Sequence, residues 1–162
     1  MNHRFQLVDV FADRPYSGNP LAVVFDADNL ATEAMQQIAR WLNLSETAFL
    51  VSPSRLDADY RVRIFTLDRE MPFAGHPTLG SCHAWLSDGG QPRDESEVIQ
   101  ECGAGLISIR RSDTTLDGTA EHGVHAAPTM IRTIDVSTKH TAEIRRRECG
   151  DIVCTPSSTV AV

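Results

Sequence analysis

The chain predicts an α+β fold, a mixed β-sheet curled around a central helix, and three observations carry that reading. Residues 59–66 alternate polar and apolar, with Arg61 and Arg63 set between Tyr60, Val62 and Ile64, the period of a half-buried strand. A helix is predicted over 75–86, where Leu79, Cys82, His83 and Leu86 recur at helical spacing and Gly80, Ser81 and Ala84 between them allow close packing. Such a helix is buried nearly all round, so sheet must cover it on several sides. All ten aromatic residues lie between Phe5 and Trp85, which gives the N-terminal part the material for a core and leaves the remainder little.

The elements follow in order. Phe5 to Ala12 reads as a strand with apolar layers on both sides, and Arg14 to Pro20 as a turn-rich loop. Leu21 to Phe25 is a second buried strand, expected to pair with the first. Asp28 or Asn29 is the expected cap of a helix whose apolar stripe is Leu30, Met35, Ile38, Ala39 and Leu42, with Glu33, Gln36, Gln37 and Arg40 on its polar face. Asn43 to Glu46 lead into a third strand, Thr47 to Val51. A loop from Ser52 to Asp57 then reaches the alternating strand. Gly75-His76-Pro77-Thr78 starts the central helix, since proline tolerates the first turn, where its missing N–H has no intrahelical partner. Ser87 to Arg93 is a polar turn. Val98–Glu101 and Leu106–Arg110 form a hairpin about Cys102-Gly103-Ala104-Gly105. The count is about six strands and two helices.

With 162 residues there is room for one domain of ordinary size or two very small ones. Apolar residues at 41% and charged residues at 23% are ordinary for a globular protein, and a net charge of −7 argues against a nucleic-acid partner. No apolar run approaches the roughly 20 residues a membrane helix needs, and MNHRFQLVDVF lacks a signal peptide's apolar core, so a cytoplasmic location is expected. Cys82, Cys102, Cys149 and Cys154 are too few for a disulfide scaffold and are expected as free thiols. Cys149 and Cys154 with His140 are a weak zinc pattern without a second pair, and no metal is expected. Gly103-x-Gly105 has no phosphate-loop context and reads as a turn.

Two residues stand out for chemistry. Glu46 lies where a helix hands over to a strand, flanked by Leu44 and Phe49, where desolvation would raise a carboxyl group toward the range useful for proton transfer. From spacing alone, a glutamate there more often caps a turn or faces solvent. His76 sits at the start of the central helix, whose free amides and positive dipole end suit an anion and should disfavour a charged imidazole. The bland alternative is a capping or packing histidine. Asn19 and Ser45, judged alone, are turn residues.

Four blocks in order change the weighting: Val8-Asp9-Val10-Phe11 with Gly18-Asn19-Pro20-Leu21-Ala22-Val23, then Asn43-Leu44-Ser45-Glu46-Thr47-Ala48-Phe49, then Arg63-Ile64-Phe65-Thr66, then Pro72-Phe73-Ala74-Gly75-His76-Pro77-Thr78-Leu79-Gly80. Residues 3–111 resemble the N-terminal domain of the phenazine-biosynthesis PhzF-like isomerases, whose fold is similar to diaminopimelate epimerase. The resemblance implies a cofactor-independent isomerase. Glu46 would be the acid/base group, taking a proton from one carbon of a small carboxylate metabolite and returning it to another. His76 would line the pocket, Gly75 and the amides after it would hold a carboxylate or developing enolate oxygen, and Asn19 and Ser45 would make polar contacts to the substrate. The epimerases use paired thiols, but neither Cys82 nor Cys102 matches their pattern, and Cys82 reads as a small buried hydrophobe.

The family continues through a second domain that completes the active-site cleft with an aspartate and further backbone donors. Residues 112–162 are threonine-rich, carry Arg145-Arg146-Arg147, and contain no stretch like Glu-Asp-Pro-x-Thr-Gly-Ser. They are expected to be an atypical tail, frame-shifted or disordered, with the second domain missing. The competing expectation is therefore a non-catalytic half-domain that is inactive or self-associates, and a homodimer facing across the lost interface would rebuild a cleft with two Glu46 side chains.

Overall fold

The computed structural model describes residues 2–112, 115–120, 131–137, 143–145 and 158–161, with side chains over 3–110. The strands are β1 (Asn2–Val10), β2 (Asn19–Val24), β3 (Thr47–Val51), β4 (Tyr60–Phe65), β5 (Glu70–Met71), β6 (Glu97–Cys102), β7 (Gly105–Ser112), β8 (Thr115–Ala120), β9 (Ile131–Ser137), β10 (Glu143–Arg145) and β11 (Ser158–Ala161). The helices are α1 (Thr32–Leu42) and α2 (Gly75–Ser87). The described strands form one mixed sheet ordered β10-β9-β1-β2-β3-β4-β6-β7-β8, with β5 beside β4 and β11 beside β1.

Two crossovers set the layers. β2 and β3 are parallel and joined through α1; β4 and β6 are parallel and joined through α2. Both connections step the same way across the sheet, but β3 and β4 run antiparallel, so crossovers of one hand place the two helices on opposite faces. Side chains divide accordingly with a period of two. Val8, Val10, Ala48, Leu50, Tyr60, Val62 and Ile64 form one core with Leu79, Cys82 and Ala84 of α2. Val24, Phe49 and Phe65 form the other with Met35, Ile38 and Ala39 of α1.

The central helix behaves as its composition requires. Residues 76–82 are all buried, and α2 touches β1, β2, β3, β4, β6, β8 and β9. Gly80 makes this possible: a Cβ there would stand 2.5 Å from Leu21 Cδ2 and 2.9 Å from Val10 Cγ2, so only glycine lets the helix lie this close to β1 and β2. The α1 helix is one-sided. Its polar face reaches the β4–β5 turn, where Gln36 Nε2 donates to the Thr66 carbonyl at 2.8 Å and Arg40 Nε to that of Leu67 at 2.9 Å.

The six strands and two helices expected from periodicity are present, but the count falls short of the described strands by five, β5 and β8 to β11; the expected pairing of β1 with β2 and the hairpin at 102–105 are observed. The expected cap is displaced. Asp28 and Asn29 belong to a 3-10 turn (Ala27–Asn29), Ala31 precedes α1, and the Asp28 carboxylate accepts the Ser52 amide at 2.8 Å. An aspartate can serve either amide, and this one bonds the loop after β3, leaving α1 without a side-chain cap. Cys82 and Cys102 are both buried thiols. Cys149, Cys154, His140 and most of the Arg145-Arg146-Arg147 cluster lie outside the described residues. None of the described helices is long and apolar enough to cross a membrane.

Candidate active site

The first turn of α2 opens beside the starts of the central strands β2 and β3. The amides of Gly75 and His76 precede the first intrahelical bond, Thr78 N to the Ala74 carbonyl at 3.1 Å, and no acidic side chain occupies that turn. Nothing stands within 4 Å of where a Cβ of Gly75 would be, so the head of the helix faces open space.

Four of the sequence-predicted residues meet there through their side chains, from three separate elements. Asn19 opens β2, Ser45 and Glu46 lie just before β3, and His76 is the second residue of α2. His76 Nε2 is 3.4 Å from Glu46 Oε2, and the Asn19 side-chain amide lies 3.3 Å from His76 Nδ1. The Ser45 hydroxyl donates to Asn19 Oδ1 at 3.2 Å, which turns the Asn19 NH2 toward the imidazole. An amide nitrogen only donates, so Nδ1 accepts and the proton of the neutral ring sits on Nε2, facing Glu46. Gly75 adjoins this chain by its backbone.

The electrostatics favour that neutral form. Burial of the His76 side chain, only 8% exposed, lowers its imidazolium below the ordinary value, and the Glu46 carboxylate opposes the shift in part. Glu46 is 21% exposed, intermediate between core and surface. Glu46 Oε2 and His76 Nε2 are both buried, and neither has a hydrogen-bond partner among the described residues. Buried polar atoms are nearly always bonded, so a facing donor and acceptor left open form a pair able to engage a third group and to pass a proton.

Behind Asn19 stands Asp9, which the sequence reading did not single out. It is 2% exposed, and its carboxylate accepts the Tyr16 amide at 2.7 Å and the Gly18 amide at 2.9 Å. The available signal was a carboxylate between Val8 and Val10 in a strand apolar on both sides. Among the described residues, no group of three His, Cys, Asp or Glu side chains is placed to hold a metal ion.

A curled mixed sheet around a buried helix, with a carboxylate–imidazole pair at that helix's head, defines an α+β domain of the PhzF type. The chain belongs to the phenazine biosynthesis-like (PhzC-PhzF) family, whose profile matches residues 8–159. It is 51% identical over 116 residues to antisense-enhancing sequence 1 of Schizosaccharomyces pombe, covering 72% of this chain and 38% of that protein. It is 43% identical over 113 residues to trans-2,3-dihydro-3-hydroxyanthranilate isomerase of Pseudomonas aeruginosa, covering 68% and 39% respectively. Among solved structures, a PhzF-family phenazine biosynthesis protein of Enterococcus faecalis superposes with TM-score 0.63 at 29% identity, over 72% of this chain and 43% of that one. The chain spans about two fifths of the length of these relatives.

Proposed function

We propose that residues 1–111 are the N-terminal domain of a PhzF-like isomerase that shifts a proton within a small carboxylate metabolite without a cofactor, in the cytoplasm. The observation that carries this reading is the facing pair of open atoms, Glu46 Oε2 and His76 Nε2, 3.4 Å apart. Glu46 takes the proton from one carbon and returns it to another. His76, neutral and donating from Nε2, meets the oxygen on which charge develops, and the Gly75 and His76 amides hold the carboxylate or enolate at the positive end of α2. Ser45 and Asn19 contact the substrate or orient the ring that does.

Glu46 is 21% exposed, and a second surface over the site would exclude water from it. A second copy of this chain facing the first across the site is one source of such a surface, and a homodimer is the minor form of this reading.

The test is deuterium wash-in, followed by proton NMR of the substrate in D2O. The first substrate is trans-2,3-dihydro-3-hydroxyanthranilate, the compound in the name of the Pseudomonas relative, followed by cyclic and amino-acid-derived carboxylates. Exchange at one carbon that stops in Glu46→Gln supports the proposal. Exchange at the same rate in Glu46→Gln removes Glu46 from the reaction.

A further inference from the structure

We propose that Asp9 is a positioning residue for the candidate site: its carboxylate clamps residues 11–18 so that Asn19 holds His76 with its ring proton on Nε2. The proposal rests on the reading of His76 as a working group of the site, but its test does not require turnover.

The connection between β1 and β2 is short, irregular and strained. Phe11 and Tyr16 both have left-handed backbones, each at φ 64°, which side chains other than glycine rarely adopt. Such conformations persist only where the surroundings over-determine them, and here the restraint is visible. One carboxylate spans the loop: Asp9 takes the amide of strained Tyr16 at 2.7 Å and that of Gly18 at 2.9 Å. The fit is close. A Cβ on Gly18 would stand 2.2 Å from the Val10 carbonyl oxygen and 2.6 Å from Asp9 Oδ1. The next residue is Asn19, which pairs with Val10 as β2 begins, and whose amide donates to His76 Nδ1.

The path therefore runs Asp9, Gly18 amide, Asn19 and His76 Nδ1, with Ser45 bracing the far side of the Asn19 amide. Both Asp9 oxygens are committed to backbone amides within a 2% exposed side chain, so this carboxylate orients and does not itself react. If Asn19 turned away, no described group would hold Nδ1 as the acceptor, and the Nδ1–H tautomer, which presents a lone pair to Glu46, would gain population.

The experiment uses the full chain labelled with nitrogen-15 histidine and reads the His76 ring by long-range nitrogen–proton correlation near neutral pH. Wild type is expected to show a single Nε2–H tautomer, with the Tyr16 and Gly18 amides protected from hydrogen exchange. Asp9→Asn keeps the size but sets an NH2 against an amide donor; its His76 signals should move toward a tautomer mixture. A folded Asp9→Asn with wild-type His76 signals overturns the proposal. If that variant does not fold, wild-type exchange decides: unprotected Tyr16 and Gly18 amides overturn the clamp, and protected ones support it. Because this readout is tautomer and protection, a failure here is distinct from a failure of the isomerase reading, which is scored by wash-in.

Discussion

The polar cluster around Gln100 and the pair at the head of α2 treat buried polarity in opposite ways. Inside the core, Tyr60, Thr78, Ser81 and Gln100 close on one another. The Tyr60 hydroxyl donates to Gln100 Oε1 at 2.7 Å, Gln100 Nε2 donates to Thr78 Oγ1 at 3.1 Å, and Ser81 Oγ donates to the Thr78 carbonyl at 3.2 Å. Two residues before Thr78, at the head of the same helix, His76 Nε2 and Glu46 Oε2 are equally withdrawn from water and left open. A closed network fixes where α2 lies, while an open pair is polarity held ready for something else. On the proposed reading, the difference separates scaffold from candidate site within one turn of helix.

Exchanging substitutions between the two sets should break that comparison. Glu46→Gln is expected to slow wash-in by about 10²-fold or more, while thermal unfolding stays where it is or moves up, since an unbonded buried charge is removed. Loss of stability together with activity would place Glu46 among the scaffold groups. Acid should strain the scaffold. Burial pushes the His83 imidazolium down to about 4 from 6.5. Between those values the unfolded chain binds a proton that the folded chain refuses, so stability falls as pH drops through the window, by up to about 3 kcal/mol. Denaturant titrations at stepped pH, repeated on His83→Gln, should show that slope flattened in the variant.

Gln100→Leu leaves the Thr78 hydroxyl without its donor and the Tyr60 hydroxyl with only Ser81 Oγ, 3.3 Å away, and should cost about 2 kcal/mol in urea unfolding while wash-in continues. Activity lost without any loss of stability would put Gln100 on the other side of the comparison. Trp41, 75% exposed on the outer face of α1, is the control: Trp41→Ser should shift unfolding by no more than about 0.5 kcal/mol and leave wash-in unchanged.

Much of the architecture is legible along the chain because it is periodic. The alternation around Arg61 and Arg63 and the stripe of Met35, Ile38 and Ala39 each report one partner surface, and such patterns survive into β4 and α1. β5, Glu70–Met71, is too short to show a period and exists because it pairs with Ile64 and Phe65. The displaced cap follows from tertiary competition for Asp28. At the candidate site, Glu46, His76, Asn19, Ser45 and Gly75 come from the resemblance, since each alone reads as a turn or packing residue. What no local pattern reveals is their order in space, a serine bracing an asparagine that polarises a histidine toward a glutamate. Asp9 and Gln100 escape for a related reason. A polar residue in a buried run carries no partner's name, and the partners are supplied by the loop at 16–18 and by α2.

The pairing of β1 has a consequence for synthesis. One edge of this first strand is taken at once by β2, from the same hairpin. Its other edge pairs with Ile131–Ile134 and Ser158–Ala161, which leave the ribosome much later. In the interval a nascent chain displays a row of unpaired amides and carbonyls beside a finished sheet. Such contacts, distant along the chain, close slowly and invite a neighbouring chain to add a strand first. The yield of soluble protein should therefore depend on chaperone supply and translation speed more than on the strength of either core.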